Sequence, residues 1–128
     1  MTSWLWPSIL IAAILNTIIH ESAHILLAQH LGGRWRGLRW HHGRLSSAID
    51  MAGLSLSAHR RVALVGVAAD LFLASLAGLL LAQFHTAWAE GPFIWASASV
   101  LVNGCPLIPH SDGWQVIFGA RHFANPRG

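Results

Sequence analysis

Three long apolar stretches separated by polar segments dominate the chain, at residues 4–31, 62–84 and 93–118. A membrane-spanning helix needs about 20 predominantly apolar residues, and the three stretches are each long enough to supply them. The pattern therefore predicts three transmembrane helices joined by short connections. The first helix would end at the pair Gly32 and Gly33, because glycine commonly terminates helices.

The second stretch is nearly all small and aliphatic, which favours close approach of helices. Asp70 is the exception and lies in the middle of the stretch. A carboxylate in such a helix usually faces the interior of the bundle and finds a partner there. We interpret Asp70 as a structural residue that hydrogen-bonds a neighbouring helix, with a direct catalytic role as the alternative.

The third stretch is interrupted by the segment Asn103-Gly-Cys-Pro106-Leu-Ile-Pro109. Two prolines and a glycine so close together are incompatible with a regular helix. Irregular backbone at membrane depth is tolerated only where it lies against protein or a water-filled cavity. We therefore predict a Pro-broken third helix that resumes near Asp112, with room for water at the break.

The polar segment 34–58 is basic, with arginines in it and directly after it. Two short runs flank His42 and Gly43, an arrangement that resembles a short β-hairpin, although its alternation of apolar and polar residues is imperfect. Trp35 and Trp40 would anchor this segment at the membrane interface. A β-hairpin and a short basic loop both remain open as interpretations.

Composition places the chain among integral membrane proteins. Hydrophobic residues make up 54% of the 128 residues and charged residues only 10%, with a mean hydropathy of +0.50. Soluble domains carry about 25% charged residues. We therefore predict an all-α membrane protein that forms a single domain over residues 1–128. We expect it to lie in the lipid bilayer and not to bind nucleic acid. The single cysteine excludes an internal disulfide.

The arginines are distributed unevenly along the chain. All eight basic residues are arginines, six of them in or beside the first loop and two in the C-terminal tail. Cytoplasmic loops of membrane proteins carry an excess of basic residues. We therefore expect the N-terminus outside, with the first loop and the C-terminus in the cytoplasm. The expected location is the inner (plasma) membrane of a bacterium.

The sequence His20-Glu21-Ser22-Ala23-His24 spells H-E-x-x-H inside the first apolar stretch. Residues i and i+4 share a helix face, so the two histidines can bind one metal ion from one side. The glutamate beside them could take a proton from water at that metal. Ionisable residues are expensive to bury in lipid and mark functional sites there. The motif predicts one Zn²⁺ bound within the membrane.

A third ligand is needed, because catalytic zinc usually has three protein ligands and leaves one position for water. The expected topology places His20 and Asp112 at similar depth. Asp112 is therefore our candidate for the third ligand, and His110 is the alternative.

These motifs resemble those of the site-2 protease family, the intramembrane zinc metalloproteases. That family has H-E-x-x-H in one transmembrane helix and a motif N-x-x-P…D-G in a later one. Here the second motif is matched by Asn103, Pro106, Asp112 and Gly113. The three stretches correspond to the catalytic core of the family, so the resemblance covers nearly the whole chain and implies that Asp112 binds the zinc.

The resemblance also implies roles for further residues. Asn103 would orient the substrate or stabilise the oxyanion, and the segment 35–51 would hold the substrate as an added strand. Two segments depart from the family pattern: Ser111 replaces a usual Leu, and Gly66-Val-Ala-Ala-Asp70 replaces G-P-x-x-N. The residues expected to position the substrate are Trp35, Leu38, Trp40, Pro106 and Gly113.

The expected activity is hydrolysis of a peptide bond in a membrane-spanning or membrane-associated peptide, near the cytoplasmic face. Glu21 would carry the proton from water to the leaving amine. The alternative is a non-catalytic metal-binding subunit of a larger membrane complex, which would have no need of Glu21. The small size of the chain suggests a homo-oligomer or a partner subunit that shields the site from lipid.

Overall fold

The computed structural model of this chain describes residues 4–41 and 43–124. Within these residues, four helices and one hairpin follow one another. Their order is α1 Leu5–His30, β1 Arg34–His41, β2 Arg44–Asp50, α2 Leu56–Phe84, α3 Ala87–Gly104 and α4 Asp112–Ala124. The prediction of a mostly helical protein is therefore confirmed, and Arg127 of the predicted C-terminal tail lies outside the described residues.

Two of the described helices, α1 and α2, are long and apolar enough to cross a membrane by length and composition. The third predicted span, 93–118, is divided between α3 and α4, with an irregular segment at 105–111. The predicted break before Asp112 is thus confirmed. The predicted end of α1 is also confirmed, because Gly32 adopts a φ of +99° directly after the helix.

The helix faces that pack against one another are polar or small, and the outward faces are aliphatic. On α2, large apolar side chains such as Phe72 and Leu79 are 67% and 70% exposed. On α1 the buried residues recur every four or eight positions: Ser8, Asn16, His20, His24 and Ala28. This distribution is the reverse of that in a water-soluble helix, which buries its apolar stripe.

The segment after α1 folds as an antiparallel β-hairpin, so of the two interpretations the hairpin is correct. The register shifts between Trp35 and Leu38, which marks a bulge in β1. At the open end of the hairpin, Arg36 Nη2 donates to Asp50 Oδ2 at 2.9 Å. This hydrogen bond, with one from the Ala52 backbone N–H, holds the pKa of Asp50 below its usual range, so the contact persists at neutral pH and weakens in acid.

Helices α1 and α3 approach closely where Ser8 meets Gly91. Ser8 Oγ lies 2.7 Å from the Leu5 carbonyl and 3.1 Å from the Ala87 carbonyl, which joins the two helices. A Cβ at position 91 would overlap Ser8 Oγ and lie 2.9 Å from the Ile9 backbone nitrogen. Glycine is therefore required here for the crossing and not for helix propensity.

We expect Gly91→Ala to destabilise the protein by about 1–3 kcal/mol, because the added methyl overpacks the crossing of α1 and α3. Alanine is otherwise the better helix former by about 1 kcal/mol. Gly119→Ala is the matched control, since its Cβ would lie 3.8 Å from Gln115 Cβ, an ordinary contact. Thermal unfolding of both variants in detergent measures the difference, and equal melting temperatures would contradict the prediction.

Candidate metal centre

The structure brings together the three predicted ligands, from two distant parts of the chain. His20 and His24 lie one turn apart on the inner face of α1, and Asp112 is the first residue of α4. The two Nε2 atoms are 3.1 Å apart. Asp112 Oδ2 lies 3.1 Å from His20 Nε2 and 3.3 Å from His24 Nε2. Both histidines are buried and Asp112 is half-buried.

This triangle of ligand atoms matches the dimensions of a zinc site. Zinc bonds to histidine nitrogen and carboxylate oxygen are about 2.0–2.2 Å, so two ligands of a tetrahedron are separated by roughly 3.3–3.5 Å. The three observed separations, 3.1, 3.1 and 3.3 Å, are close to that edge length. The three atoms can therefore hold one small divalent cation, with a fourth position left for water.

The polar atoms behind the two rings indicate which nitrogen faces the centre. His24 Nδ1 lies 2.6 Å from the Val62 carbonyl oxygen, and because a carbonyl only accepts, Nδ1 carries the proton. His20 Nδ1 lies 3.0 Å from Asp70 Oδ2 without a well-aligned hydrogen bond, and the nearby carboxylate favours a proton on Nδ1 there as well. Both Nε2 atoms then direct their lone pairs toward Asp112. Partners of this kind commonly orient metal-binding histidines.

Asp112 Oδ2 is buried, and its nearest polar neighbours are the two Nε2 atoms at 3.1 and 3.3 Å, with no well-aligned hydrogen bond to it among the described residues. When both Nε2 atoms present lone pairs, three electron-rich atoms converge on one small space. A buried charge without compensation is costly, so the arrangement calls for positive charge there, either a metal cation or a proton on a histidine. This convergence of three ligand atoms shows, independently of the sequence motif, that the residues present suit a metal ion.

Asp70 lies behind His20 and has no exposed surface. Its Oδ1 accepts a hydrogen bond from Asn16 Nδ2 at 2.9 Å, and its Oδ2 accepts one from Asn103 Nδ2 at 2.7 Å. The carboxylate thus joins α1, α2 and α3 and also faces the metal ligand His20. The interpretation of Asp70 as a residue that hydrogen-bonds neighbouring helices is confirmed.

The segment before α4 sets the position of Asp112. Ser111 Oγ lies 2.7 Å from the Cys105 carbonyl and accepts a hydrogen bond from the Trp114 backbone N–H, so it caps α4. At Gly113 a Cβ would overlap the Gly104 carbonyl, so only glycine lets α4 begin against the end of α3. Ser111 therefore has a structural role of its own, as the cap of α4.

Gly66 on α2 lies directly against the ligand atoms of His24 and Asp112. A Cβ at this position would overlap the His24 imidazole and lie 2.7 Å from Asp112 Oδ2. The absence of a side chain is what allows α2 to pack directly against two ligands. From the sequence, Gly66 was named as a small residue and as the start of Gly66-Val-Ala-Ala-Asp70, without a contact to the ligands, and the Val62 carbonyl carries no sequence signal at all.

Glu21 lies next to the ligands but is held from the other side. Its Oε2 accepts hydrogen bonds from the backbone N–H of Ser47 at 2.7 Å and from Ser47 Oγ at 2.5 Å. Ser47 lies in β2, so the hairpin contacts the glutamate of the motif directly. The sequence offered no sign of this contact, because the two residues are far apart in the chain.

The site opens into a cavity of about 700 Å³ lined by α1, β2, the start of α2 and α4. Glu21 and Asn103 line it together with the three ligands, and so does His110, which lies outside the ligand triangle. From the hairpin, Leu45, Ser46, Ser47 and Ile49 of β2 contribute to the lining. The substrate-positioning residues expected from the resemblance do not line it: Trp35, Leu38, Trp40, Pro106 and Gly113.

Those expected residues have other surroundings in the structure. Trp35, Leu38 and Trp40 of β1 are 47%, 55% and 72% exposed, away from the cavity. The hairpin residues that line the cavity beside the metal ligands belong to β2. The side of the hairpin that meets the cavity is therefore β2, and not the tryptophan-bearing β1.

Comparison with protein-family models, with curated proteins and with solved structures finds no significant match to this chain. The chemistry of the site is therefore argued from its own geometry.

The ligand set predicts which substitutions remove zinc. His20→Ala, His24→Ala and Asp112→Ala should each lose bound zinc, because each deletes one corner of the triangle. His110→Ala should retain it at the wild-type level. Elemental analysis of the purified variants measures zinc per chain. Zinc retained by Asp112→Ala but lost by His110→Ala would show that the third ligand is wrong.

Asp70→Asn should weaken zinc binding by about 10- to 100-fold without removing a ligand, since it deletes the charge that faces His20 Nδ1. Asp50→Asn is the matched control, because Asp50 lies in the hairpin and pairs with Arg36. Competition with a chromophoric zinc chelator gives both affinities. An unchanged affinity in Asp70→Asn would exclude a role for Asp70 in orienting His20.

Proposed function

We propose that this chain is an intramembrane zinc metallopeptidase that hydrolyses a peptide bond in a membrane-spanning or membrane-associated peptide. The observation that carries the proposal is the triangle of His20, His24 and Asp112 with Glu21 beside it on one cavity wall. A purely structural zinc site is closed by four protein ligands, whereas a hydrolytic site keeps one position open. Among the described residues three ligands converge, and the cavity adjoins them.

The distribution of side chains on the helices, with apolar residues exposed and polar residues buried, supports a membrane location. Their exposed faces carry large aliphatic and aromatic side chains, and such continuous apolar surfaces are rare on soluble monomers. The polar side chains are buried where helices meet, as expected when lipid surrounds a bundle. We propose three spans, with α3 and α4 together as the third. The basic hairpin then lies on the cytoplasmic side of a bacterial plasma membrane.

A bound zinc ion supplies Lewis-acid activation of water and of the scissile carbonyl. Glu21 is the residue of this chain that accepts the proton from the attacking water and delivers it to the leaving amine. His20, His24 and Asp112 hold the metal, and Asp70 keeps His20 oriented. Asn103 acts through Asp70, since its amide nitrogen donates to that carboxylate.

The substrate must be extended at the scissile bond, because a helix hides its carbonyl groups in hydrogen bonds. A transmembrane substrate would therefore unwind locally before it enters the cavity. The wall formed by β2 offers extended backbone and apolar side chains, Leu45 and Ile49, to an unwound segment. These features support a peptide substrate in preference to a small polar molecule.

A non-catalytic metal-binding subunit is the second candidate. The observation in its favour is that Glu21 accepts two hydrogen bonds from Ser47, as a purely structural carboxylate would. The large exposed apolar surface would serve contact with partner subunits or with a second copy of the chain equally well. The metallopeptidase requires Glu21 as its general base, whereas the metal-binding subunit does not.

Glu21→Gln should retain zinc and lower the rate of peptide cleavage by at least about 10²-fold, because it removes the general base. Glu90→Gln is the matched control, since Glu90 is the other glutamate of the chain and lies in the first turn of α3. The assay uses the zinc-loaded protein in bicelles with a panel of synthetic single-span peptides, and mass spectrometry identifies the products.

Full zinc loading without cleavage of any peptide by the wild-type protein would favour the metal-binding subunit. Equal cleavage by the wild-type protein and Glu21→Gln would exclude Glu21 as the general base.

A further inference from the structure

The contact between Glu21 and Ser47 connects the metal centre to the hairpin. Both hydrogen bonds from Ser47 end on the same carboxylate oxygen, Oε2. Within the described part of the chain, Oε1 has no hydrogen-bond partner, and the Glu21 side chain lies on the cavity wall. One oxygen is thus anchored and the other is available to the cavity.

We propose that Ser47 is a positioning residue for Glu21: it holds one carboxylate oxygen so that the other is presented to the water and the substrate. This inference rests on the proposed function, because it assigns Ser47 a role in the same proton transfer. Ser47 touches neither the metal ligands nor the substrate in this role and acts through Glu21 alone.

The hydrogen bonds from Ser47 are strong enough to fix the position of the Glu21 carboxylate. A glutamate side chain loses substantial conformational entropy when it is held, and two charge-assisted hydrogen bonds of 2.7 and 2.5 Å are strong enough to hold it. One of the donors is backbone, so its direction is set by the strand. Ser47 is paired with Leu38 in the hairpin register, and the fold of the hairpin therefore determines where Glu21 points.

Ser75 of α2 provides a matched control away from the cavity. Its hydroxyl donates to the Leu71 carbonyl at 2.8 Å, within its own helix, and Ser75 is not among the residues that line the cavity. Removing the Ser75 hydroxyl therefore tests the loss of a serine hydroxyl without touching Glu21 or the cavity wall.

The kinetic experiment compares Ser47→Ala, Ser47→Thr and Ser75→Ala in the zinc-loaded, full-length protein with a peptide that the wild type cleaves. Ser47→Ala should lower kcat by about tenfold with KM and zinc content unchanged, since it removes the hydroxyl donor but leaves the backbone one. Ser47→Thr should restore kcat, because threonine keeps the hydroxyl and suits a strand. Ser75→Ala should match the wild type.

A second readout does not depend on activity. Hydrogen–deuterium exchange of the peptide that contains Ser47 should be slow in the wild type, with or without zinc, because its backbone N–H is bonded to Glu21. Glu21→Ala should speed exchange at this position, and Glu21→Gln, which still offers an amide oxygen, should do so less. Ser75→Ala should leave the exchange at Ser47 unchanged.

The outcomes separate this inference from the proposed function. A wild-type protein that binds zinc and cleaves no peptide overturns both. Cleavage by the wild type with an unchanged kcat in Ser47→Ala overturns the positioning role alone. An increase of kcat in Ser47→Ala also overturns it, because Ser47 would then be restraining Glu21, and a rise in KM at constant kcat would place Ser47 in substrate binding instead.

Discussion

The carboxylate of Asp70 has no exposed surface, and the packing of three helices depends on how its charge is compensated. Asn16 of α1 and Asn103 of α3 each donate an amide N–H to it, and His20 faces it at 3.0 Å. An uncompensated charge at this depth would cost several kcal/mol, so each partner must occupy its place when the bundle forms. The same requirement that assembles the helices therefore also orients the first metal ligand.

The contacts of Asp70 help to explain how so small a chain can hold three ligand atoms at fixed distances from one another. The metal ligands lie on α1 and α4, which alone could not fix a triangle with sides near 3.2 Å. Two backbone features complete the constraint: the Val62 carbonyl sets the tautomer of His24, and Gly66 lets α2 approach both His24 and Asp112. A histidine held at Nδ1 by the protein and free at Nε2 has little rotational freedom left. The positions of the ligand atoms therefore depend on groups that do not themselves bind the metal, such as the Val62 carbonyl and Gly66.

Much of this arrangement could be predicted from the sequence, because the responsible signals are local. The i, i+4 spacing of His20 and His24 places them on one face wherever the segment is helical, and Pro106 with Pro109 interrupts the third stretch in any environment. The interior position of Asp70 follows from its place in an apolar stretch, whereas the imperfect alternation of residues 34–58 left a hairpin and a loop both open. The spacing, the break and the position of Asp70 agree with the structure because residue type alone determines them.

Other parts could not be predicted, because they depend on backbone groups and on distant pairs of residues. A carbonyl such as that of Val62 has no residue-type signal. Substrate contact by the tryptophans of β1 was drawn from family resemblance and stays a prediction, whereas the hairpin residues that line the cavity belong to β2. The register and bulge of the hairpin decide which strand faces the cavity, and residue type does not reveal them. Ser47 was missed for the same reason: its significance exists only once the strand lies against α1.

The role of Glu21 follows from these two kinds of constraint acting on one residue. Its backbone belongs to α1, so the metal ligands and Asp70 fix where its side chain starts. Its carboxylate is held by β2, so the hairpin fixes where the side chain ends. In the proposed hydrolysis, a base anchored at both ends would need no reorganisation before it accepts a proton, which is the condition under which preorganised groups contribute most to catalysis. On that proposal the hairpin belongs to the active site, and the surface that would admit a peptide also holds the general base.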